Sequence, residues 1–201
     1  GVFHTLPGHD GEEQVVANDA FERARGAEVE VTVVPVDKLT LSASIGYLDA
    51  IYTSFASDIL GLQPTDPNVG LACNGSINPV QYADHNGGCY LRPAYTPNWT
   101  MRYEASYAFD LNGKGVLTPD IYVTYESSHY TDLSNSPVGY QAGYALLNGS
   151  LNYDDPDGRF RISVWAKNIT DTRYIVSAVP TASLFTQLYF ADPRTFGMEL
   201  H

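Results

Sequence analysis

The chain has 201 residues, 44% of them hydrophobic, and no apolar run approaches the roughly 20 residues that a membrane-spanning helix needs. Its formal net charge of −12 argues against binding nucleic acid and against electrostatic binding to anionic lipid. Aromatic residues make up 12% of the chain, and 15 are Tyr. Tyr suits the boundary between lipid and water, but it is also common in soluble all-β proteins.

Polar and apolar residues alternate along most of the chain, which predicts an all-β, antiparallel fold. Residues 1–24 are predicted to be irregular, apart from a short strand near residues 13–17. The main predicted strands then cover residues 25–34, 38–53, 98–110, 116–130, 144–153, 159–168 and 194–200. Several of them have about ten residues or more, which is close to what a tilted strand needs to cross a bilayer.

The connections between these strands alternate strictly between short and long. Short turns are predicted at residues 35–37, 111–115 and 154–158. Long loops are predicted at residues 54–97, 131–143 and 169–193. All short turns therefore lie at one end of the sheet and all long loops at the other, a pattern typical of outer-membrane barrels.

Several strands carry charged residues in their middle, on the face opposite their Val, Leu and aromatic side chains. In a barrel, this charged face lines a wet lumen while the apolar face meets lipid. The residues predicted to face the lumen are Glu28, Glu30, Arg102, Glu104 and Asp120.

The two cysteines, Cys73 and Cys89, lie in one polar loop. A pair so close together predicts a disulfide and an oxidising compartment, with reduced thiols as the alternative. A metal site would need further ligands, and only His85 lies between them. No metal or cofactor is therefore expected.

Several segments resemble the C-terminal part of a TonB-dependent outer-membrane receptor. They are ARGAEVE at 24–30, LSASIGYLDA at 41–50, RPAYTPNW at 92–99, VWAKNITDTRY at 164–174 and DPRTFGMEL at 192–200. The segment at 164–174 is the most specific, and the matches run in the family's order over most of residues 18–200.

The resemblance implies a 22-stranded barrel with a plug inside, of which residues 1–201 would supply about seven or eight strands and no plug. It also implies import of a scarce ligand, most often a ferric siderophore, haem or cobalamin, across the bacterial outer membrane. The expected partners are the rest of the barrel and its plug, outer-membrane lipid, the small-molecule ligand, and the TonB complex through an N-terminal part outside this chain. The alternative is a soluble or surface β-sheet binding module without transport activity.

No catalytic constellation accompanies the Ser, His and Asp residues, so an enzyme is not expected. Ligand contacts are predicted at the loop ends, where aromatic side chains can stack on a planar ligand, at Tyr90, Tyr95, Tyr130 and Tyr140. His85 and His129 could touch a ligand, although solvated surface positions are the stronger expectation. Structural roles are predicted for Asn168 and Asp171 at a strand exit, and for Arg194 and Phe196 at the start of the last strand.

Overall fold

The structure is a computed structural model, and it describes only part of the chain. The described residues are 2–4, 13–15, 20–55, 82–83, 89–90, 92–132, 135, 137–181 and 185–201. Side chains are described within 22–51, 92–132, 135, 137–179 and 185–201. In these parts of the chain, no helix is long and apolar enough to cross a membrane.

The described residues form strands and no helix, so the predicted all-β, antiparallel fold is confirmed. In chain order the strands are β1 (Val2–His4), β2 (Glu13–Val15), β3 (Ala20–Val36), β4 (Leu39–Phe55), β5 (Tyr82–Ala83), β6 (Cys89–Tyr90), β7 (Trp99–Tyr107), β8 (Phe109–Asp110), β9 (Val116–Glu126), β10 (His129–Tyr130), β11 (Tyr140–Gln141), β12 (Tyr144–Asp154), β13 (Arg161–Lys167), β14 (Ile175–Thr181), β15 (Phe185–Phe190) and β16 (Thr195–Leu200).

One eight-stranded sheet, called the main sheet below, holds the long strands in the order β16-β13-β12-β9-β7-β4-β3, with β8 paired to β9. The strands of the main sheet lie side by side in the same order in which they occur along the chain, so the sheet is an antiparallel meander. The strands β3 and β16 are its two edges among the described residues. The predicted count of 22 strands concerns a whole barrel and stays a prediction.

The register of the main sheet puts the apolar residues of all its long strands on one face. Tyr103, for example, lies opposite Ala43 on one side and Val123 on the other. This apolar face is exposed over its middle: Val31 is 50% exposed, Tyr103 46% and Ile121 50%. Among the described residues, therefore, the apolar side chains of the main sheet cover its surface rather than fill a core.

The opposite face of the main sheet, its polar face, carries the charged residues that the alternation predicts. On β7 the Arg102 guanidinium donates from Nε and Nη2 to Glu104 Oε2, at 3.0 and 2.6 Å. The same guanidinium lies 3.8 Å from the centre of the Tyr122 ring. Asp120 shares this face, because it lies opposite Ser106, two residues from Glu104 along β7. Arg102 thus binds a carboxylate on its own strand and an aromatic ring on the next strand, and Asp120 adds a further charge to the same face.

The short turns lie together at one end of the main sheet, called the turn end. Two hydrogen bonds connect them: Ala108 N donates to Lys38 O at 2.9 Å, and Tyr153 Oη donates to Lys114 O at 2.8 Å. In an antiparallel meander the remaining connections lie at the other end, called the loop end. The predicted segregation of short turns from long loops is confirmed for these strands.

Three predicted boundaries are wrong. Strand β3 begins at Ala20 rather than at residue 25, the predicted strand 98–110 breaks at Ala108, and β9 ends at Glu126 rather than at residue 130. The predicted loop 169–193 contains the hairpin β14–β15, and the predicted loop 131–143 contains β11, which pairs with β10 just before it. In β14 the sequence signal is interrupted because Pro180, which pairs with Thr186, is normally a strand breaker.

The turn between β8 and β9 gives a test of this geometry through two glycines with positive φ. Gly115 has φ 105°, and a Cβ there would lie 2.3 Å from Asp154 O, whereas Gly113 has φ 79° and open space around it. Gly115→Ala should lower the free energy of unfolding by roughly 2–4 kcal/mol, because φ strain and a backbone clash combine.

Gly113→Ala is the matched control and should cost about 1–2 kcal/mol, since only φ strain applies. Urea unfolding of the protein measures both values. Equal losses in the two variants would contradict the close approach of this turn to β12.

Candidate functional site

Three segments meet at the loop end of the main sheet. They are residues 92–98, the described residues 127–132, 135 and 137–143 with the paired strands β10 and β11, and the paired strands β14 and β15. Tyr95 N donates to Tyr130 O at 2.8 Å, which connects the first two segments. Ala178 N donates to Thr131 O at 3.3 Å, which connects the second to the third. We call these three segments the loop block, because hydrogen bonds connect each of them to another.

Asn135 lies at the centre of the loop block and is 1% exposed. Its Oδ1 accepts from Arg92 N at 2.8 Å, and its Nδ2 donates to Arg92 O at 3.0 Å and to Asp132 O at 3.5 Å. One amide side chain therefore replaces a strand partner for Arg92. Only Asn or Gln offers a donor and an acceptor in this arrangement.

Thr131 is completely buried and connects β10 to both neighbouring hairpins. Its N and its Oγ1 donate to Gly139 O at 2.9 and 3.0 Å, and its carbonyl accepts from Ala178. A side chain at position 139 would collide with Asp132, so this approach depends on glycine. The loop block is consequently packed and hydrogen-bonded where the sequence predicts only connecting loops.

The four tyrosines predicted to contact a ligand have different environments. Tyr130 is 1% exposed, and its ring centre lies 5.6 Å from that of Tyr140. Burial, followed by the charges of Tyr140 and Asp132, raises the pKa of Tyr130 to about 12. Of Tyr90 only the backbone is described, as part of β6. Tyr130 therefore packs inside the loop block, and its predicted ligand contact stays a prediction.

Tyr95 is the predicted ligand residue that is open to solvent, with 54% of its surface exposed. Its φ of 60° is unusual for an aromatic residue, and its Oη donates to Ser177 Oγ on β14 at 3.2 Å. A turned backbone and one hydrogen bond thus hold the ring away from the packed interior of the loop block.

Tyr95 lies at the rim of a cleft of about 540 Å³ at the loop end. The cleft is also lined by Gly26, by Gly46 and by the two residues that lie opposite Gly46 on the neighbouring strands, Glu28 and Thr100. Its volume lies within the 300–1,000 Å³ of small-molecule sites. The lining combines an aromatic ring, a carboxylate and a hydroxyl, so it offers stacking and hydrogen bonding to one ligand.

Sequence reasoning missed a second aromatic group on the polar face. The rings of Tyr144 and Tyr174 stack with centres 4.2 Å apart and planes 15° apart. Tyr144 Oη donates to Glu126 Oε2 at 3.0 Å. Burial, and then the nearby Glu126 carboxylate, raise the pKa of Tyr174. The signal in the sequence was a Tyr at the start of β12, but no pattern showed which loop residue would meet it.

The strand exit after β13 has the predicted structural role. Asn168, 6% exposed and at φ 51°, donates from N to Asn148 Oδ1 at 3.0 Å and accepts from Thr172 N at 2.9 Å. Asp171 Oδ1 accepts from Arg194 N at 3.0 Å, and Arg194 Nη1 donates to Ile169 O at 3.2 Å. This corner connects the base of the β14–β15 hairpin to the start of β16.

Two further predictions concern the cysteines and the histidines. Cys73 and His85 lie outside the described residues, and only the backbone of Cys89 is described, so the structure gives no support to the disulfide. His129 is 6% exposed, with Nδ1 3.1 Å from Ser127 O, so the expectation of a solvated side chain is wrong. It is buried because β10 lies inside the loop block.

The predicted lumen-facing residues Glu28, Glu30, Arg102, Glu104 and Asp120 all lie on the polar face of the main sheet. Whether this face encloses a lumen depends on strands outside this chain, so the lumen itself stays a prediction. Geometry and chemistry together define a class: an antiparallel sheet with one exposed apolar face, one charged face and a packed loop block at a single end.

Three solved receptor structures are similar in fold to this sheet. The ferric yersiniabactin uptake receptor FyuA from Yersinia pestis matches with a TM-score of 0.66 and 19% identity over 91% of this chain and 24% of that receptor. The siderophore receptor PiuA from Acinetobacter baumannii matches with a TM-score of 0.58 and 15% identity over 90% of this chain and 22% of its own. BauA, the ferric preacinetobactin receptor from Acinetobacter baumannii, matches with a TM-score of 0.57 and 19% identity over 92% and 22%.

No family model matches the chain. The chain spans less than a quarter of the length of each of these receptors. The resemblance to TonB-dependent receptors is therefore confirmed for the fold, and the chain has the fold of part of their barrel. All three neighbours are receptors.

Asn135→Asp tests whether one side chain holds the loop block together. The variant keeps the acceptor for Arg92 N but faces Arg92 O with a second acceptor, so the amide of Arg92 should exchange roughly tenfold faster or more. Hydrogen exchange of residues 92–98, followed by mass spectrometry, measures this change.

Asn112→Asp is the control, because Asn112 lies in the turn between β8 and β9 at φ 58°, which Asp also tolerates. Exchange at residues 92–98 should not change in this variant. Equal protection in wild type and Asn135→Asp would mean that the loop block does not depend on Asn135.

Proposed function

We propose that this chain forms part of the barrel wall and outer loops of an outer-membrane receptor. The receptor takes up a scarce ligand, a ferric siderophore or a similar iron complex, and TonB supplies the energy. Residues 1–201 are the C-terminal part of its barrel, and the plug and the TonB-coupling segment belong to sequence outside this chain. Capture occurs at the loop end, and plug rearrangement then opens the path to the periplasm.

The observation that carries this proposal is the exposed apolar face of the main sheet. It runs without interruption from Val31 on β3 to Met198 on β16, which is 73% exposed. Apolar patches of this extent are rare on soluble monomers. Among the described residues no second sheet covers it, which disfavours the alternative of a soluble sandwich module. Contact with lipid keeps this apolar face out of water. Closure of the barrel gives hydrogen-bond partners to the backbone groups of the two edge strands.

The loop block and the cleft support ligand capture. Tyr95, Glu28 and Thr100 converge on a volume that fits a small molecule, at the end of the sheet where barrel receptors carry their long loops. The Tyr144–Tyr174 stack adds aromatic surface on the same polar face. Energy coupling rests on the fold resemblance alone, because the chain covers only part of the receptors it matches.

The membrane orientation is tested by placing Arg on each face of β4. Ala43 lies on the apolar face between Val31 and Tyr103, so Ala43→Arg should cost roughly 2–4 kcal/mol and block assembly in the outer membrane. Val29→Arg and Ile162→Arg should behave in the same way. Protease resistance and heat-modifiable gel mobility of the membrane fraction measure assembly.

Ser42→Arg is the matched control, because Ser42 lies on the polar face directly opposite Glu104. An Arg there gains a carboxylate partner and should assemble normally. Normal assembly of the apolar-face variants would refute the barrel-wall proposal.

The capture role is tested at Tyr95 in the full-length receptor. Tyr95→Asn keeps a residue that tolerates positive φ but removes the ring, so affinity should fall roughly two- to tenfold, as expected for one aromatic contact. Equilibrium binding of a panel of iron-loaded hydroxamate, catecholate and mixed-ligand siderophores measures this affinity.

Tyr189→Asn provides the control, since Tyr189 is 47% exposed on β15 and does not line the cleft. Unchanged affinity in Tyr95→Asn, or an equal loss in Tyr189→Asn, would remove the cleft from the ligand site.

A further inference from the structure

The first hairpin of the main sheet extends well past the apolar band. Strands β3 and β4 have 17 residues each, whereas a tilted strand crosses a bilayer with about 9–11. Their pairing is continuous from Glu22 to Val33 on β3, without a register shift. The alternation of faces therefore holds along the whole extension, and the face of each residue there is fixed.

Two arginines lie on the outward extension of the apolar face. On β3 this face carries Val31, Val29 and Ala27, and the next two positions along it are Arg25 and Arg23. Both arginines are exposed, and 46% of the Arg23 side chain is open. Positive charge thus continues the face that the proposed function assigns to lipid.

An aromatic pair marks where the apolar band ends. Tyr47, which lies opposite Ala27, contacts Trp99 with ring centres 4.8 Å apart. Tyr and Trp prefer the boundary between hydrocarbon and headgroups. Arg25 follows two residues beyond Ala27, about 7 Å along the strand. For a strand tilted by about 45°, this distance corresponds to roughly 5 Å along the membrane normal. The headgroup layer is about 5–7 Å thick, so Arg25 lies at its depth.

The local charge balance favours an anion. Asp49 lies opposite Arg25, and its Oδ2 is 4.0 Å from Arg23 Nη2, at the limit of an ion pair. Among the residues whose side chains the structure describes on this part of β3 and β4, one carboxylate therefore faces two guanidiniums. Exposed ion pairs of this kind stabilise a protein only weakly, because water and salt screen the two charges. The guanidinium donors thus remain available to a phosphate, which arginine binds in a bidentate manner.

We propose that Arg23 and Arg25 bind the phosphate of an anionic lipid headgroup at the loop-end surface of the membrane. The net charge of −12 disfavours general attraction to an anionic surface, but Arg25 lies at the depth of the headgroup layer, and Arg23, two residues further out, reaches back to it with its long side chain. The site depends on the proposed function, since a headgroup reaches it only when the apolar face lies in lipid.

Lipid titration of the full-length protein tests the site. Native mass spectrometry in detergent compares phosphatidylglycerol with phosphatidylcholine of the same acyl chains, and wild type should prefer phosphatidylglycerol. Arg23→Gln and Arg25→Gln should each weaken the binding of phosphatidylglycerol about fivefold, as expected for one basic residue near a membrane surface.

Two further variants sharpen the test. Lys167→Gln removes a charge from the polar face near the loop end and should leave the binding of both lipids unchanged. Asp49→Asn removes the competing carboxylate and should strengthen phosphatidylglycerol binding, a gain that a misfolded protein would not give. Equal binding of the two lipids, an equal loss in Lys167→Gln, or no gain in Asp49→Asn would overturn the site.

Two controls distinguish a lipid site from a free-anion site and from a failure of membrane insertion. Inorganic phosphate that competes as well as the lipid would show a free-anion site and overturn the lipid assignment. Flotation with phosphatidylcholine vesicles reports membrane insertion on its own. Flotation without phosphatidylglycerol preference contradicts the lipid site alone, whereas failure to float contradicts the barrel-wall proposal and this site with it.

Discussion

The continuous antiparallel register of the main sheet is the constraint on which the rest of the structure depends. Because side chains alternate, a slip of one residue would move every apolar side chain to the opposite face. The register that puts Ala43 beside Tyr103 also puts Ser42 beside Glu104. One set of backbone hydrogen bonds therefore fixes the apolar surface, the charged layer and the end at which the long loops meet.

The loop end is organised differently, by individual polar side chains rather than by a ladder. Asn135 takes the place of a strand partner for Arg92. Asn168 likewise forms hydrogen bonds with irregular backbone at the strand exit after β13. Each is buried and satisfies donors and acceptors of irregular backbone, which would otherwise be costly to bury. The outcome is a packed loop block with Tyr95 held at the rim of the cleft. A fixed aromatic ring loses less entropy on binding than one on a mobile loop.

The sequence was sufficient for the main sheet because its period of two is strong over nearly every long strand. It predicted both faces of β7 and the segregation of turns from loops. It could not predict the β14–β15 hairpin, in which Pro180 interrupts the pattern, or the burial of Tyr130 and His129. Burial there depends on contacts between segments far apart in the chain, such as Thr131 with Ala178. Local alternation carries no information about such contacts, and the partner of Tyr144 was missed for the same reason.

In the proposed receptor, the apolar face of the main sheet meets lipid and the polar face meets water. Spin labels on single cysteines at Val29, Thr32, Ala43 and Ser44, in a background lacking Cys73 and Cys89, measure this directly in vesicles. We predict that labels at Val29 and Ala43 are accessible to oxygen, which concentrates in lipid, and protected from a water-soluble nickel complex. Labels at Thr32 and Ser44 should show the reverse. Equal access of the nickel complex to both pairs would contradict a membrane-spanning sheet.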